Sequence, residues 1–307
     1  MERREFFRKS IGAGLAGGLA FFIGRPEKII GTPYNPDGPL YDLVAVKGGE
    51  PELMYEQAIK SLGGIGKFVK KNQTVVVKPN IGWDVTPEKA ANTNPKLVAH
   101  IIKSCLEAGA KKVYVFDNTC DQWKKCYQNS GIEKAAKNAG AEVVSGNAEG
   151  YYHEVKIPKG KKMKKAKVHE LVLNSDVFIN VPIIKHHSSS DLSLSMKNLM
   201  GIVWDRGFWH RNDLHQCIAD FSSYCKPTLN IIDGYRIMMK NGPRGVSVED
   251  VNLVKSLIIS TDMVAADAAA TKIFGSDPEK IDYLRIANEM NIGEINLGKL
   301  NINRIKL

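Results

Sequence analysis

The sequence lacks the short motifs that identify the commonest cofactor sites. It contains no C-x-x-C pair, which argues against an iron–sulfur cluster within this chain. Neither H-E-x-x-H nor H-x-x-x-H occurs, so no histidine pair has the spacing typical of a helical zinc site. There is also no internal repeat and no low-complexity tract. No single short motif therefore identifies a cofactor site in this sequence.

Long hydrophobic runs are also scarce. The longest apolar stretch, Ile11 to Gly24, has 14 residues and falls short of the roughly 20 that a membrane-spanning helix needs. It follows Arg3 and Arg4, a pair that is similar to the twin-arginine export pattern. No clean A-x-A cleavage site follows, so an uncleaved membrane anchor stays open, and an ordinary amphipathic helix is the alternative.

These features predict three parts of the chain. Residues 1–24 form a twin-arginine-like signal or anchor, residues 25–40 a linker, and residues 41–307 a single α/β domain. We expect a periplasmic or otherwise extracytoplasmic protein that the twin-arginine export machinery carries in folded form. The membrane would be contacted only through the N-terminus, if that segment is not cleaved.

The odd number of cysteines excludes complete disulfide pairing, and the lysine-rich stretch argues against a nucleic-acid partner. An odd number of cysteines leaves at least one thiol unpaired in an oxidising compartment, and Cys120 with Cys126 is a candidate disulfide across a loop. The net charge of +10 is partly local, because six lysines crowd residues 159–167. That stretch has no aromatic residue to stack on bases, so we expect a solvated hairpin or loop and no nucleic-acid partner.

Short apolar runs alternate with helical patterns along most of the chain. This alternation predicts an α/β fold with a mainly parallel sheet, helices on both faces, and a β-hairpin-like insertion near residues 146–170. The run at 176–184 is predicted to be one strand, and a helix is predicted over 192–200. Further strands are predicted at 42–47, 73–78, 113–117, 228–233 and 255–260.

Polar residues follow five of the predicted strands. In an open α/β sheet, ligands bind beyond the carboxyl ends of the strands, so these residues are expected to share one crevice. They are Lys78 and Asn80, Asp117 and Asn118, Lys185 with His186 and His187, Asp233, and Thr261 with Asp262.

Residues 180–220 contain most of the other candidate side chains. Ser190 lies at the start of the predicted helix, where unpaired N–H groups favour an anion. Lys197 and Asn198 interrupt the apolar face of that helix, so each needs a polar partner. His210 and His215 follow as candidate ligand-binding residues, with structural histidines as the alternative.

Two chemistries fit this set of residues. In one, His186 or His187 binds a divalent metal together with Asp117, Asp233 and Asp262. In the other, lysines clamp a carboxylate or a phosphate while a histidine acts as general acid or base. The two are compatible. The catalytic candidates are Lys185, His186, His187, Lys197 and Asn198, and the ligand-binding candidates are Lys78, Asn80, Ser190, His210 and His215.

Several separate segments are similar to one bacterial and archaeal family. VVVKPN at 75–80, NVPIIKHH at 180–187, SMKNLMGIVWD at 195–205 and IIDGYRIMMKNGPRG at 231–245 resemble domain of unknown function 362. The resemblance implies little chemistry, because that family has no settled activity. Many of its members resemble iron–sulfur proteins by carrying an appended ferredoxin-like module, and this sequence departs from that pattern because it has no C-x-x-C pair.

The sequence thus favours an exported α/β enzyme that binds a small anionic molecule in a crevice of lysine, histidine and aspartate side chains. A divalent metal is an open alternative for that crevice. The rival hypothesis is a non-catalytic binding or accessory protein that supports an iron–sulfur redox partner, as the family resemblance implies. A binding protein of that kind needs the basic crevice but no general base.

Overall fold

The computed structural model describes residues 41–307. The predicted signal or anchor at 1–24 and the linker at 25–40 lie outside these residues. Among the helices of residues 41–307, none combines the length and the apolar character that crossing a bilayer requires.

One mixed sheet runs through the described chain. The strands of this sheet are β1 (Leu43–Lys47), β2 (Thr74–Pro79), β3 (Lys112–Val115), β4 (Glu142–Val143), β7 (Val177–Val181), β8 (Ile183–His187), β9 (Asp191–Ser193), β10 (Leu229–Met238), β11 (Val251–Ser260) and β12 (Ile302–Lys306). The strand order is β12-β1-β11-β10-β7-β2-β3-β4, and β8 with β9 extends the sheet beside β10. The strands β10, β7, β2, β3 and β4 are parallel, whereas β11 runs antiparallel to both of its neighbours. The predicted mainly parallel α/β fold is confirmed.

Helices cover both faces of the sheet. The helices α1 (Pro51–Ser61), α2 (Pro95–Glu107) and α4 (Ile132–Asn138) pack on one apolar face. On the other face lie α8 (Leu214–Tyr224), α9 (Met263–Phe274) and α10 (Asp282–Glu289). Strands buried from both sides need apolar residues at consecutive positions, which explains runs such as Val75 to Val77. The shorter helices are α3 (Trp123–Asn129), α5 (Glu170–Asn174), α6 (Ser195–Asn198) and α7 (Arg206–Arg211).

The predicted insertion near 146–170 is a β-hairpin. It consists of β5 (Tyr152–Lys156) and β6 (Lys165–His169), which pair antiparallel as a separate two-stranded sheet. The buried carboxylate of Asp220 accepts hydrogen bonds from the backbone N–H groups of Lys162 and Met163 at 2.6 and 2.8 Å. The lysine-rich turn is thereby fixed to helix α8 rather than left loose in solvent.

The single strand predicted at 176–184 is wrong, and so is the helix predicted over 192–200. Pro182 has no N–H to donate and separates β7 from β8, so that Lys185, His186 and His187 lie inside a strand. Strand β9 then pairs back on β8, with Lys185 opposite Ser193. Only residues 195–198 form an α-helical turn, which a 3-10 turn continues over Leu199–Ile202.

Candidate functional site

A cavity of about 420 Å³ opens where β2 and β3 end and β8 begins its pairing with β9. Four cationic side chains and one carboxylate line it. Of the ten predicted catalytic and ligand-binding residues, seven line this cavity, as does one predicted metal ligand, Asp117. The seven are Lys78, Asn80, Lys185, His187, Lys197, Asn198 and His210.

Lys78 and Asp117 form the buried floor of the cavity. Their parallel strands are neighbours, and Lys78 Nζ lies 3.0 Å from Asp117 Oδ1 with both side chains at most 3% exposed. Asp117 Oδ2 also accepts a 2.6 Å hydrogen bond from the backbone N–H of Ile81. Burial lowers the pKa of Lys78 and raises that of Asp117, while the attraction between the two charges opposes both shifts.

Asn198 orients the residues around this pair. Its Oδ1 accepts hydrogen bonds from Lys78 Nζ at 2.8 Å and from Asn80 Nδ2 at 3.0 Å. Its Nδ2 donates to Asn180 Oδ1 at 2.8 Å, and Asn180 in turn donates to the backbone carbonyl of Ser195. All hydrogen bonds of the Asn198 amide are therefore internal, which suits a positioning residue.

Gly201 is the point of closest approach between the turn at 199–202 and the ion pair. A β-carbon at this position would lie 1.8 Å from Asp117 Oδ1 and 2.6 Å from Lys78 Nζ. The carbonyl of Gly201 also accepts a 2.9 Å hydrogen bond from the backbone N–H of Asn118. Only glycine leaves room for the ion pair beneath this turn.

Lys185 reaches the cavity from β8. Its Nζ donates to Asn80 Oδ1 at 3.1 Å and to the backbone carbonyl of Ala91, and the side chain is 1% exposed. Burial lowers the pKa of Lys185 to about 7. The amine is therefore able to exchange a proton near neutral pH.

Lys197 is also buried but is bound differently. Its Nζ donates to Met200 Sδ at 2.9 Å, and the residue is only 8% exposed. Among residues 41–307, no carboxylate and no other oxygen accepts a hydrogen bond from this amine. Burial lowers the pKa of Lys197 to about 8.

His187 and His210 form one wall of the cavity, with ring centroids 6.5 Å apart and nearly parallel planes. His187 Nδ1 accepts a hydrogen bond from the backbone N–H of Ser189 at 3.1 Å, so in the neutral ring the proton is on Nε2. Burial, and then the charge of Lys197, lowers the pKa of His187 to about 2. The pKa of His210 is also lowered by burial. Both rings are neutral near pH 7.

His186 and His215 do not line the cavity. Because side chains alternate along a strand, His186 points away from its neighbour His187 and accepts a 3.1 Å hydrogen bond from the backbone N–H of Gly242. His215 stacks on Tyr283, with ring centroids 6.2 Å apart.

Ser190 does not begin a helix. It lies in the turn between β8 and β9, is fully buried, and donates its hydroxyl to the carbonyl of Leu192 at 3.2 Å. Ser188, Ser189 and Ser193 line the cavity instead. The expected anion site at a helix start near Ser190 is therefore wrong, because strand β9 occupies the place of the predicted first turn.

The three aspartates proposed for a metal are not brought together. Asp233 accepts hydrogen bonds from the backbone N–H groups of Asn94 and Tyr235 at 2.7 and 3.0 Å. Asp262 caps helix α9 and accepts a further hydrogen bond from the backbone N–H of Glu294. It lies at the opposite edge of the sheet, because antiparallel β11 ends beside the start of β10. Within residues 41–307, no group of three or more His, Cys, Asp or Glu side chains is placed to hold a metal ion.

Two functional candidates were missed from the sequence, Arg206 and Cys120. Arg206 Nη1 and Nη2 donate to the backbone carbonyls of Asn118 and Thr119, and Nη1 lies 3.1 Å from Cys120 Sγ. Arg206 follows the pair Lys197-Asn198 by only eight residues. A basic residue so close to that pair was the one sequence signal that could have indicated a role in the site. All five cysteines are free thiols, so the candidate disulfide between Cys120 and Cys126 does not form in this structure.

A loop over residues 241–245 closes one side of the cavity. Pro243 is part of the lining, and the neighbouring Arg244 lies 3.4 Å from Asp121 in a half-exposed ion pair. A β-carbon at Gly242 would lie 1.9 Å from the carbonyl oxygen of His186, so the loop packs tightly against β8.

Comparisons with known proteins agree with this fold. The thylakoid-associated protein sll1697 of Synechocystis sp. is 26% identical over 231 residues, which is 73% of this chain and 70% of that protein. The solved structure of the lactate racemase apoprotein from Thermoanaerobacterium thermosaccharolyticum matches with a TM-score of 0.50 at 9% identity. That match covers 75% of this chain but only 56% of the racemase chain, and it shows a likeness of fold alone.

The family model for a domain of unknown function, DUF362, matches residues 75–272. This range is well over half of the chain and includes every residue that is named above as lining the cavity. The chain belongs to the DUF362 family.

Proposed function

We propose that this protein is an enzyme that binds a small organic anion, a carboxylate or a phosphate, in the cavity described above. A volume of about 420 Å³ suits a small metabolite. The lining carries four cationic side chains, and its one carboxylate, Asp117, is already paired with Lys78. An anionic ligand would balance the remaining positive charge.

The observation that carries this proposal is the environment of Lys197. A buried ammonium group normally has a carboxylate or several oxygen acceptors, because leaving it unpaired costs several kcal/mol. The only acceptor of Lys197 in residues 41–307 is the thioether of Met200, which is weak. A ligand oxygen would supply the acceptor that the protein does not.

The roles of the lining residues follow from their contacts. Arg206 would hold the anionic group and Lys197 would donate to a ligand oxygen, since both side chains line the cavity. Lys185, whose pKa is about 7, would exchange a proton with the ligand. His187 would donate a hydrogen bond from Nε2, because its Nδ1 is already occupied by Ser189.

A ligand screen tests this proposal. Wild-type protein should melt at higher temperature with some members of a panel of carboxylates and phosphates, and not with their neutral amides or alcohols. Lys197→Met keeps the length of the side chain and removes its charge, and it should weaken binding by calorimetry at least about tenfold. Lys161→Met, at an exposed position of the hairpin, is the matched control. Equal stabilisation by neutral and anionic compounds would contradict the proposal.

We further propose that the protein is exported in folded form by the twin-arginine machinery. The support is the Arg3-Arg4 pair with the short apolar segment behind it. The thylakoid association in the name of the Synechocystis relative is compatible with an extracytoplasmic location. A variant with both arginines changed to lysine should remain in the cytoplasmic fraction of an export-competent host.

A further inference from the structure

The three lysines of the cavity have different partners. Lys78 is paired with Asp117 and Asn198, and Lys185 donates to Asn80 and to the carbonyl of Ala91. Both amines are therefore held by oxygen acceptors of the protein itself. Within residues 41–307, the only acceptor of Lys197 is a thioether, Met200 Sδ at 2.9 Å.

This difference bears on reactivity. An amine attacks a carbonyl carbon only in its uncharged form, and that form is favoured where burial is not offset by an anion. Lys197 is 8% exposed and borders a cavity wide enough for a small molecule. The lowered pKa of Lys197, about 8, leaves about a tenth of the amine uncharged at pH 7, against far less for an ordinary lysine.

The neighbours of Lys197 suit a ligand that has both a carbonyl and a carboxylate. Arg206 offers a planar guanidinium, the group that pairs best with a carboxylate. His187 offers an Nε2–H donor and stays neutral, so it can polarise a carbonyl oxygen without giving up its own proton. Lys197 and His187 are close enough that the charge of one lowers the pKa of the other.

We propose that Lys197 forms an imine with the carbonyl carbon of a small oxo acid held in this cavity. The inference rests on the proposed function and names the substrate class. Lys197 Nζ forms a bond to the carbonyl carbon, and a proton passes from that nitrogen to the oxygen, which gives a carbinolamine. The second proton of the nitrogen then passes to the hydroxyl group, the carbon–oxygen bond breaks, water leaves, and a carbon–nitrogen double bond remains. The imine draws electrons from the adjacent carbon, as in other lysine-dependent reactions of carbonyl compounds.

Reductive trapping tests the imine. Full-length protein is incubated with glyoxylate, pyruvate or oxaloacetate and sodium cyanoborohydride, which reduces an imine to a stable secondary amine. Intact mass should show one adduct per chain with at least one of these acids, and peptide mapping should place it on Lys197. Lys197→Arg should abolish the adduct, whereas Lys161→Arg, at an exposed lysine of the hairpin, should trap as fast as wild type.

Hydroxy acids of matched size distinguish imine formation on Lys197 from simple anion binding. Lactate and glycolate lack the carbonyl, so they should slow trapping by competition without forming an adduct. If the acids bind by calorimetry but no adduct forms on Lys197, the imine is overturned and the anion site stands. If neither oxo acids nor hydroxy acids bind, both proposals fail. An adduct that maps to Lys185, or equally to exposed lysines, would also overturn the assignment to Lys197.

Discussion

Lys78 and Asp117 form an ion pair of 3.0 Å that is almost completely shielded from solvent. Their strands are adjacent and parallel, so the pair ties the ends of β2 and β3 together directly below the cavity. Asn198 and the turn around Gly201 close over it from above. The residues that form the floor of the candidate site therefore also hold neighbouring strands of the sheet together.

Breaking this pair should destabilise the fold strongly. Lys78→Met leaves the Asp117 carboxylate buried with one backbone donor, and removal of one partner of a buried pair typically costs about 3–5 kcal/mol. The free energy of unfolding from urea titrations would measure this loss. The double variant Lys78→Met/Asp117→Asn should recover part of it, because neither charge then remains unpaired.

A matched ion pair on the same sheet provides the control. Lys112 and Glu142 also join neighbouring parallel strands, but their side chains are 38% and 30% exposed. Lys112→Met should cost at most about 1 kcal/mol, since exposed pairs contribute little. If the two single lysine variants lost equal stability, the pair of Lys78 and Asp117 would have no special structural role.

Gly201→Ala should disturb the same region without removing a charge. The added β-carbon would overlap Asp117 Oδ1 at 1.8 Å, so either the turn or the ion pair must move. Overpacking of this kind typically costs about 1–3 kcal/mol, and anion affinity should fall with it. Gly66→Ala is the control, because a β-carbon there has no atom within 4 Å. Unchanged anion binding in Gly201→Ala would show that the ion pair of Lys78 and Asp117 does not contribute to anion binding.

The alternation of strands and helices was readable from the sequence because each buried strand needs consecutive apolar residues. The same pattern placed Lys78, Lys185 and Lys197 near one crevice, and the structure gives them a common cavity. Lys78 and Asn80 line it for the reason that predicted them, whereas Lys185 and His187 lie inside strand β8 and the other lining candidates lie in helices α6 and α7. Parallel strands deliver the residues at their carboxyl ends to one edge of the sheet.

The sequence pattern did not predict the direction of each strand or the points where a strand ends. Asp262 follows a strand as the other candidates do, but β11 is antiparallel and ends beside the start of β10. Ser190 precedes an apolar pattern that suits a helix, yet pairing of β9 with β8 competes successfully for those residues. Such outcomes depend on tertiary pairing, which local periodicity does not encode. Arg206 was missed because its role comes from backbone carbonyls distant in sequence.

The two adjacent histidines should behave differently. His187 borders the cavity, whereas His186 binds the backbone N–H of Gly242 on the other side of β8. His187→Ala should weaken anion binding about tenfold, because it removes a donor to the ligand. His186→Ala should have a smaller effect, transmitted through the loop at 241–245. Calorimetric titration of both variants measures the contrast, and equal losses would contradict the assignment of His187 alone to the cavity.

Cys120 should report on the anion site by chemical labelling. It is the exposed cysteine among the five, and its Sγ lies 3.1 Å from Arg206 Nη1 in the cavity lining. Iodoacetate carries a carboxylate and iodoacetamide does not, although both alkylate thiols. The ratio of their rates at Cys120 should exceed the ratio for glutathione by about threefold or more, since a positive cavity concentrates anions.

Arg206→Gln and a competing anion should both lower that ratio. Mass spectrometry of digested protein would assign the label, and the buried cysteines should react slowly, as burial raises the pKa of Cys105 and Cys217 to about 12. A ratio at Cys120 equal to that of glutathione would show that the thiol does not sense a positive cavity.

The affinity for anions should fall as pH rises from 6 to 9. Without ligand, the pKa of Lys185 is about 7 and that of Lys197 about 8, so both amines lose protons in this range. An anion binds the charged forms more tightly, so binding takes up protons, and affinity declines by up to about tenfold per pH unit for each amine that has titrated. Calorimetry in buffers of different ionisation enthalpy measures the proton uptake, which Lys197→Met should reduce near pH 8. Affinity that rose with pH would contradict the lysine-based site itself.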